Sequence, residues 1–580
     1  MWLWLLAGNL SALSAQETGG EGGDILPTSE SEGDGGSFIS MPEPRFATVR
    51  FSGITQPPTK RTPAVKGEME LDDGEGHTLR KRVLAHLHGG YSTRFPKKSF
   101  TVELCEDEWV GEQTTTVQIG SWVPQDGFVF MAFYTDFLRG MGEVGYELYR
   151  DMVADRQPVW ERAGLTTWDE RALHVPDGFP CAVYFGDKFY GLYVCQLRKN
   201  RKNFNQKRTL AEHVHLDGNL SDAYMFRGKI TWTQFEVRNP QDLYTQKGTL
   251  YNGDSPTELM GNDSPYYNRV TDSDEVWEQK QRSAKVKGYI QAMSKYWSEL
   301  NALESNGASK DLMRSELERR YDVESLLDYS VFFRVLMNGD GTLKNWQWLT
   351  YDGVKWFVFP YDLDQTFGVT LYGYPRPATL SRSVIDTGPF YWVCRYFQED
   401  EQQRYCQLRD EGVLTAENIM RLFEDWRDRV GEEWYDMEIE RWPESPCYCA
   451  PVCNKGWELS DAWELYDETP DYDKEKVYQK GDLVKLEGRL WEATATSTKG
   501  QKPFVRNSGI DSFERLEGWV SDRLSYLDEL YHYEDFSNGI ESTLLTDENG
   551  RPRGLFDLQG RRLTSRPERG LYIEDGKLRR

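Results

Sequence analysis

No run in this 580-residue chain reaches the roughly 18–20 consecutive apolar residues that a bilayer-spanning helix takes. Positive charge is the scarcer sign. Lys and Arg number 69 against 94 Asp and Glu, a formal net charge of −25. A general nucleic-acid binder needs a basic footprint, and so does a protein that docks on an anionic membrane; both classes are excluded. The acidity itself favours solubility. No glycine-rich phosphate loop is present, because the glycines within residues 16–40 follow no strand and open no helix. No long-period repeat is present either. Cysteine is sparse and mostly scattered. Cys181 and Cys195 lie in apolar, β-like runs, where a thiol acts as a small buried hydrophobe. Cys447, Cys449 and Cys453 form a C-x-C-x3-C cluster that lacks both the C-x2-C spacing and the fourth ligand of a zinc site. In an exported chain a local disulfide is the expectation there.

What the chain does hold is aromatic mass, 14% of residues with 20 Trp and 32 Tyr, the material of well-packed cores. The length implies about two to four domains. The first 15 residues, apolar and then small, read as the end of a secretory signal peptide with Ala12-Leu13-Ser14 as the cleavage site, although the usual positive n-region is missing. Export to the cell surface, the periplasm or the medium follows as an expectation. Residues 16–44 are mostly Gly, Ser, Glu and Asp and should be a disordered linker.

From Phe46 the pattern turns to strands, in ATVRFSGI, RVLAHLHGG and KKSFTVEL. A strand near Val129 passes into a helix near Asp136, a candidate N-cap. Gly186-Asp187 should turn a hairpin, and the basic run KNRKNFNQKR follows it. Residues 274–337 are mainly helical. The last of these helices should start at Asp322 and deliver Asn338 and Asp340 to a site. LTAENIMRLFEDWRDRVGEEW is a further clear helix. Residues 443–515 turn aromatic and short-stranded before helix resumes at 518–531, so they read as a β-rich insert. Its expected core is Trp463, Tyr478, Val484, Leu490 and Trp491.

The stretch NGDGTLKNWQWLTYDGVKWFVFPYDLDQTFG, residues 338–368, carries the chemistry. Asp352-Gly353 between two β-rich runs predicts a type I′ hairpin. That hairpin returns Asp362 and Asp364 towards Asp340 and Asn345. Three carboxylates and an amide at one mouth suit a hard divalent cation such as Mg²⁺. Asp-x4-Asn, hairpin, Asp is also the order of base and metal ligands in protein kinases.

At this block the sequence resembles the CotH kinase family, named for spore-coat protein H. The resemblance covers roughly 45–440 plus 518–531. GGYSTRFPKKSF (89–100), DFLRGMGEVGYEL (136–148), GDKFYGLYVCQLRKNRKNF (186–204), NGDGTLKN (338–345) and PYDLDQTFG (360–368) are similar to family motifs in order. Two positions depart. His88-Gly89-Gly90-Tyr91-Ser92 stands where the family has Arg before Gly, and Gln196 stands where it often has Glu. The resemblance implies an α+β, divergent protein-kinase-like two-lobe fold. Its N-lobe would span about 45–210 and its C-lobe about 211–442. The 443–515 insert, a closing helix within 516–535 and a β-tail at 540–580 would complete the chain. It further implies that Asp340 orients or deprotonates the acceptor hydroxyl and that Asn345 binds Mg²⁺ or Mn²⁺. Asp362 or Asp364 would be the second metal ligand, and Lys97 or Lys98 would meet the phosphates of ATP. The partner would be an exported protein offering Ser or Thr.

Residues 473–504 are similar to small chitin-binding-type modules, which would add a cell-wall glycan as partner. Two other functions compete. Asp362-x-Asp364-x-Thr366 fits a D-x-D-x-T phosphohydrolase with Asp362 as nucleophile, and a degenerate kinase fold could serve as a non-catalytic surface protein.

Overall fold

The computed structural model describes residues 39–60, 63–106, 115–207, 210–218, 235–237, 274–338, 341, 345–370, 376–379, 390–448, 455–460, 462, 465, 468–486, 489–503, 509–533, 555–556, 572–574 and 577–579. The signal-like segment, nearly all of the linker, Asp340, Cys449, Cys453 and Trp463 lie outside these residues.

The chain is a mixed α+β structure. Its strands open with β1 (Ile39–Met41), β2 (Ala47–Ser52), β3 (Val65–Asp72), β4 (Thr78–Leu87), β5 (Phe100–Cys105), β6 (Val117–Ile119) and β7 (Gly127–Met131). Helices α1 (Met141–Met152) and α2 (Val159–Arg162) follow, then the hairpin β8 (Gly178–Phe185) and β9 (Lys188–Leu197). Seven strands close a barrel in the order β2-β3-β4-β5-β7-β9-β8. Sequence reading foresaw the strands of a lobe but neither β3 nor the closure. Closure depends on a parallel pairing of β2 with β8, Ala47 opposite Cys181 and Phe51 opposite Phe185, which no local pattern announces.

Alternation explains the barrel interior. In β2, Ala47, Val49 and Phe51 are buried while Arg50 and Ser52 are exposed. Phe51, Phe100 and Phe130 meet inside, with Phe100 stacked on Phe130 at 5.0 Å, so the barrel is a packed core. Cys181 and Cys195 belong to it as free thiols. On β8 and β9 alternation fails because both faces are covered; Leu192 and Val194 point outward into a second core with α1. Gly186 takes φ +59 in the two-residue turn between β8 and β9.

The remaining elements are β10 (Val214–Gly218), β11 (Phe235–Val237), α3 (Asp274–Ser305), α4 (Lys310–Arg320), α5 (Val323–Leu336), β12 (Trp346–Thr350) and β13 (Trp356–Pro360). They continue with α6 (Phe390–Tyr396), α7 (Gln398–Asp410), α8 (Ala416–Val430), α9 (Glu432–Arg441), β14 (Trp457–Leu459), β15 (Leu483–Leu486), β16 (Arg489–Ala493) and α10 (Phe513–Tyr531). Three short strands, β17 (Leu555–Phe556), β18 (Tyr572–Glu574) and β19 (Lys577–Arg579), pair at the end. Asp322 caps α5 by accepting from the Ser325 N–H at 2.9 Å, as its sequence position predicts. Every residue from Ser325 to Leu336 is buried, which fits a helix lying between β13 and α7. The helix expected at Asp136 starts later, at Met141. Asp136 instead accepts from the Leu138 and Met141 N–H groups and shapes the loop before it. Helix α10 packs back on α5, α7 and α8, and Arg409 pairs with Asp528 at 2.8 Å.

The insert holds a three-stranded sheet in the order β14-β16-β15. Trp457, Tyr472, Tyr478, Val484, Leu490 and Trp491 are buried in it. Among the described residues, then, these rings fill a core and none offers a face to a sugar.

One buried charge cluster joins the barrel to the helices. Glu438 of α9, fully buried, accepts from Lys97 Nζ at 2.6 Å, Arg139 Nε at 2.7 Å and the Leu192 N–H at 2.7 Å. Arg139 also donates to the carbonyls of Phe133, Tyr134 and Asp136. The cluster needs Gly191, where a Cβ would lie 2.7 Å from Glu438 Oε2 and 2.8 Å from Lys97 Cε. Removing one partner of such a cluster strands a buried charge. Lys97→Met should therefore destabilise the fold by about 3–5 kcal/mol in urea unfolding. The Lys97→Met/Glu438→Gln double variant should cost less than the sum of the two single changes. Additive losses would show that the pair is not coupled.

Candidate functional site

The site is built at the mouth of the β12–β13 hairpin. The register sets Trp346 opposite Pro360, and the Asn345 carbonyl accepts from the Tyr361 N–H at 3.2 Å. Asn345 therefore stands across from Tyr361 and next to Asp362. The far end of the hairpin differs from the two-residue type I′ turn expected. Residues 351–355 form a longer loop, in which Gly353 takes φ +73 and Asp352 does not turn left-handed. The Asp352 carboxylate accepts from the Val354 and Lys355 N–H groups, and this side-chain-made turn replaces the backbone one.

Asn345 and Asp362 hold left-handed backbones, φ +65 and +54. Asn345 is buried and its Nδ2 finds no hydrogen-bond acceptor among the described residues. Asp362 and Asp364 are half-buried, and Leu363 between them is buried against α1. A Cβ on Gly145 would come within 2.8 Å of Leu363 Cδ1. This contact pins the segment, so the two carboxylates flank an anchored residue. Phe367 N–H donates to the Leu336 carbonyl at 2.9 Å, which ties the same segment to the end of α5. Met337 leaves α5 at φ +51, and the Gly341 carbonyl accepts from the buried Tyr329 hydroxyl at 2.7 Å. Met337 and Gly341 are thus held at the end of α5, while Asp340 itself lies outside the described residues.

The two lysines expected at this site are engaged elsewhere. Lys97 is bonded to Glu438 and to the Leu192 carbonyl, and its ammonium lies over the Tyr193 ring at 4.6 Å. Burial draws its pKa down to about 7 against the opposing pull of Glu438. Lys98 donates to the carbonyls of Thr93 and Phe95. Gln196, whose amide bonds to Glu143, lies four residues or about 13 Å of strand beyond Leu192. Lys97 thus serves the seam between barrel and helices, and Lys98 the loop before β5.

Sequence reading missed the groups that do surround the mouth. Glu143 of α1 is buried; its Oε1 accepts from Gln196 Nε2, while its Oε2 has no hydrogen-bond partner among the described residues. Tyr146, one turn on, places its hydroxyl against the Asp362 backbone, and burial is the main cause that pushes its pKa up. Lys199 sets its ammonium 3.8 Å from the centre of the Tyr361 ring. The signals were present, a Glu amid apolar helix positions and a basic run in an acidic chain.

The donors fit a magnesium-like ion. Two carboxylates and an amide oxygen are hard ligands, and Mg²⁺ commonly takes one or two carboxylates together with substrate phosphates. Among the described residues no set of three His, Cys, Asp or Glu side chains could hold a metal by itself. The Cys447 thiol is free and buried, near Ser445 and Arg139, so the described part of the cysteine cluster contributes no disulfide. The D-x-D-x-T reading loses its context, because β13 pairs antiparallel with β12 instead of opening a parallel sheet.

Glu143 titrates against this background. Burial is the main cause that raises its carboxyl from 4.5 to about 8, with Asp177 adding to it. The folded protein therefore keeps a proton that the unfolded chain releases. The stability this gives is complete below about pH 4.5 and is lost as pH rises towards 8. Glu143→Gln cannot ionise. Its thermal midpoint, relative to the parent, should climb steadily from about pH 5 to pH 8. A difference that stays constant with pH would show that Glu143 ionises normally.

A family model described as CotH kinase protein matches residues 85–438, which span the outer strands, α1, the hairpin mouth and the Glu438 anchor. No curated protein matches the chain. With more than half of its length matched, the chain belongs to the CotH kinase family.

Proposed function

We propose that the protein is an exported, divalent-metal-dependent protein kinase on a divergent kinase-like fold. It transfers the ATP γ-phosphate to a Ser or Thr hydroxyl of an exported protein or of itself. The observation that supports this reading is the hairpin register, which brings Asn345 across from Tyr361, the residue before Asp362. In this reading Asp340 accepts the hydroxyl proton as oxygen attacks the γ-phosphorus and ADP departs. Asn345 with Asp362 or Asp364 would hold Mg²⁺ or Mn²⁺, which when bound neutralises phosphate charge. Phosphoryl transfer asks little more of a protein than such positioning and charge compensation. Export rests on the signal-like N-terminal sequence. No helix among the described residues is long and apolar enough to cross a membrane.

Asp340→Ala should lower phosphate transfer by about 100-fold or more while leaving the near-ultraviolet spectrum unchanged. Transfer at the parental rate would refute the assignment of Asp340. Asn345→Ala should raise the metal concentration needed for half-maximal transfer.

The insert reads as separable, since its sheet packs on its own aromatic core. Replacing residues 455–503 by a short Gly/Ser bridge should leave Mg-ATP binding intact. A folded deletion variant that no longer binds Mg-ATP would make the insert part of the kinase domain.

A further inference from the structure

The basic run after β9 stands out in a chain of net charge −25. Three of the cations from Arg198 onward bond to neighbouring groups. Arg198 pairs with Glu103 at 3.7 Å, and Lys202 with Asp126 at 3.6 Å. Arg201 donates to the carbonyls of Lys207 and His213. Lys199 turns the other way, towards the hairpin mouth, and lies half-buried over Tyr361. Tyr361 is the residue immediately before Asp362, and its backbone is bonded to Asn345. The ammonium thus lies over the residue that precedes Asp362, just past the end of the strand where Gln196 touches Glu143.

Resting on the kinase reading above, we propose that Lys199, not Lys97 or Lys98, is the cation that binds the phosphates of the nucleoside triphosphate. Phosphate carried by metal ligands needs a further positive group to spread its charge. Lys97 cannot serve. Its side chain is wholly buried in the ion pair with Glu438, and the Leu192 carbonyl takes another of its protons. Lys98 spends two of its protons on backbone carbonyls. Lys199 has the flexible four-carbon stem that lets an ammonium move from a ring face to a phosphate oxygen. The Tyr361 ring holds the cation by its π-face until then.

The test is calorimetric titration of the full chain with Mg-ATP and with adenosine, for the parent, Lys199→Met and Lys199→Arg. Lys199→Met should weaken Mg-ATP by about 10- to 100-fold, the weight of one or two charge-assisted hydrogen bonds. Adenosine affinity and the thermal midpoint should stay unchanged, the salt dependence of Mg-ATP binding should become shallower, and Lys199→Arg should restore part of the loss. Mg-ATP binding by Lys199→Met within about twofold of the parent would overturn the assignment and leave the nucleotide site standing. Equal losses for Mg-ATP and adenosine would overturn it too, as the mark of a structural role. A parent protein that binds no Mg-ATP would overturn the kinase reading, and Lys199 with it.

Discussion

The structure depends on a carboxylate placed where water cannot reach it. Glu438 is buried at the seam between barrel and helices, and an ionised group there survives only with its hydrogen bonds made. Lys97, Arg139 and the Leu192 amide supply them. These partners come from the loop before β5, the loop before α1 and the middle of β9. A single side chain on α9 therefore fixes three parts of the chain at once. Arg139 extends the network to Ser445 and Cys447 and lies over the Tyr448 ring, so the chain leaving α9 is bound to the same point. Gly191 makes the approach possible by having no Cβ.

From that seam the site follows by packing. With α9 seated on β9 and α8 against α1, α1 is held along the outer face of the barrel. Leu363 then packs onto α1 at Gly145, and the carboxylates on either side are left at the hairpin mouth. A second buried cluster, Asp328 of α5 with Arg156 and Arg404, secures the helix that leads into the Asp340 loop. Strong, low-dielectric ion pairs hold the frame, while Asp362 and Asp364 stay half-buried and reachable.

Two polar groups at the mouth lack protein partners among the described residues, Asn345 Nδ2 and Glu143 Oε2. Their positions differ in kind. Asn345 sits on a left-handed backbone at the entry to β12, a strained placement that suits a residue kept for its side chain. Glu143 stands behind the mouth with its proton retained by burial, a neutral acid next to Tyr146 and Gln196. Gln196, where the family often has Glu, avoids placing a second carboxylate against Glu143. A like charge there would have raised the cost of that buried acid further.

Sequence alone determined what short-range physics controls. Asp322 as a cap, the Gly186 turn, a helix within residues 414–434, which Gly431 in fact divides into α8 and α9, and the pairing that returns Asp362 to Asn345 all rest on contacts between near neighbours. The five ordered motifs were legible for the same reason. Tertiary structure decided what depends on distant partners. Barrel closure joins β2 to β8, and Lys97 meets a carboxylate 341 positions away. Lys97 and Lys199 look alike as letters, two cations in β-rich surroundings. Only the packing of α9 against β9 commits the first to the core and leaves the second at the hairpin mouth. A charge is given its role by what surrounds it, and those surroundings come from the far end of the chain.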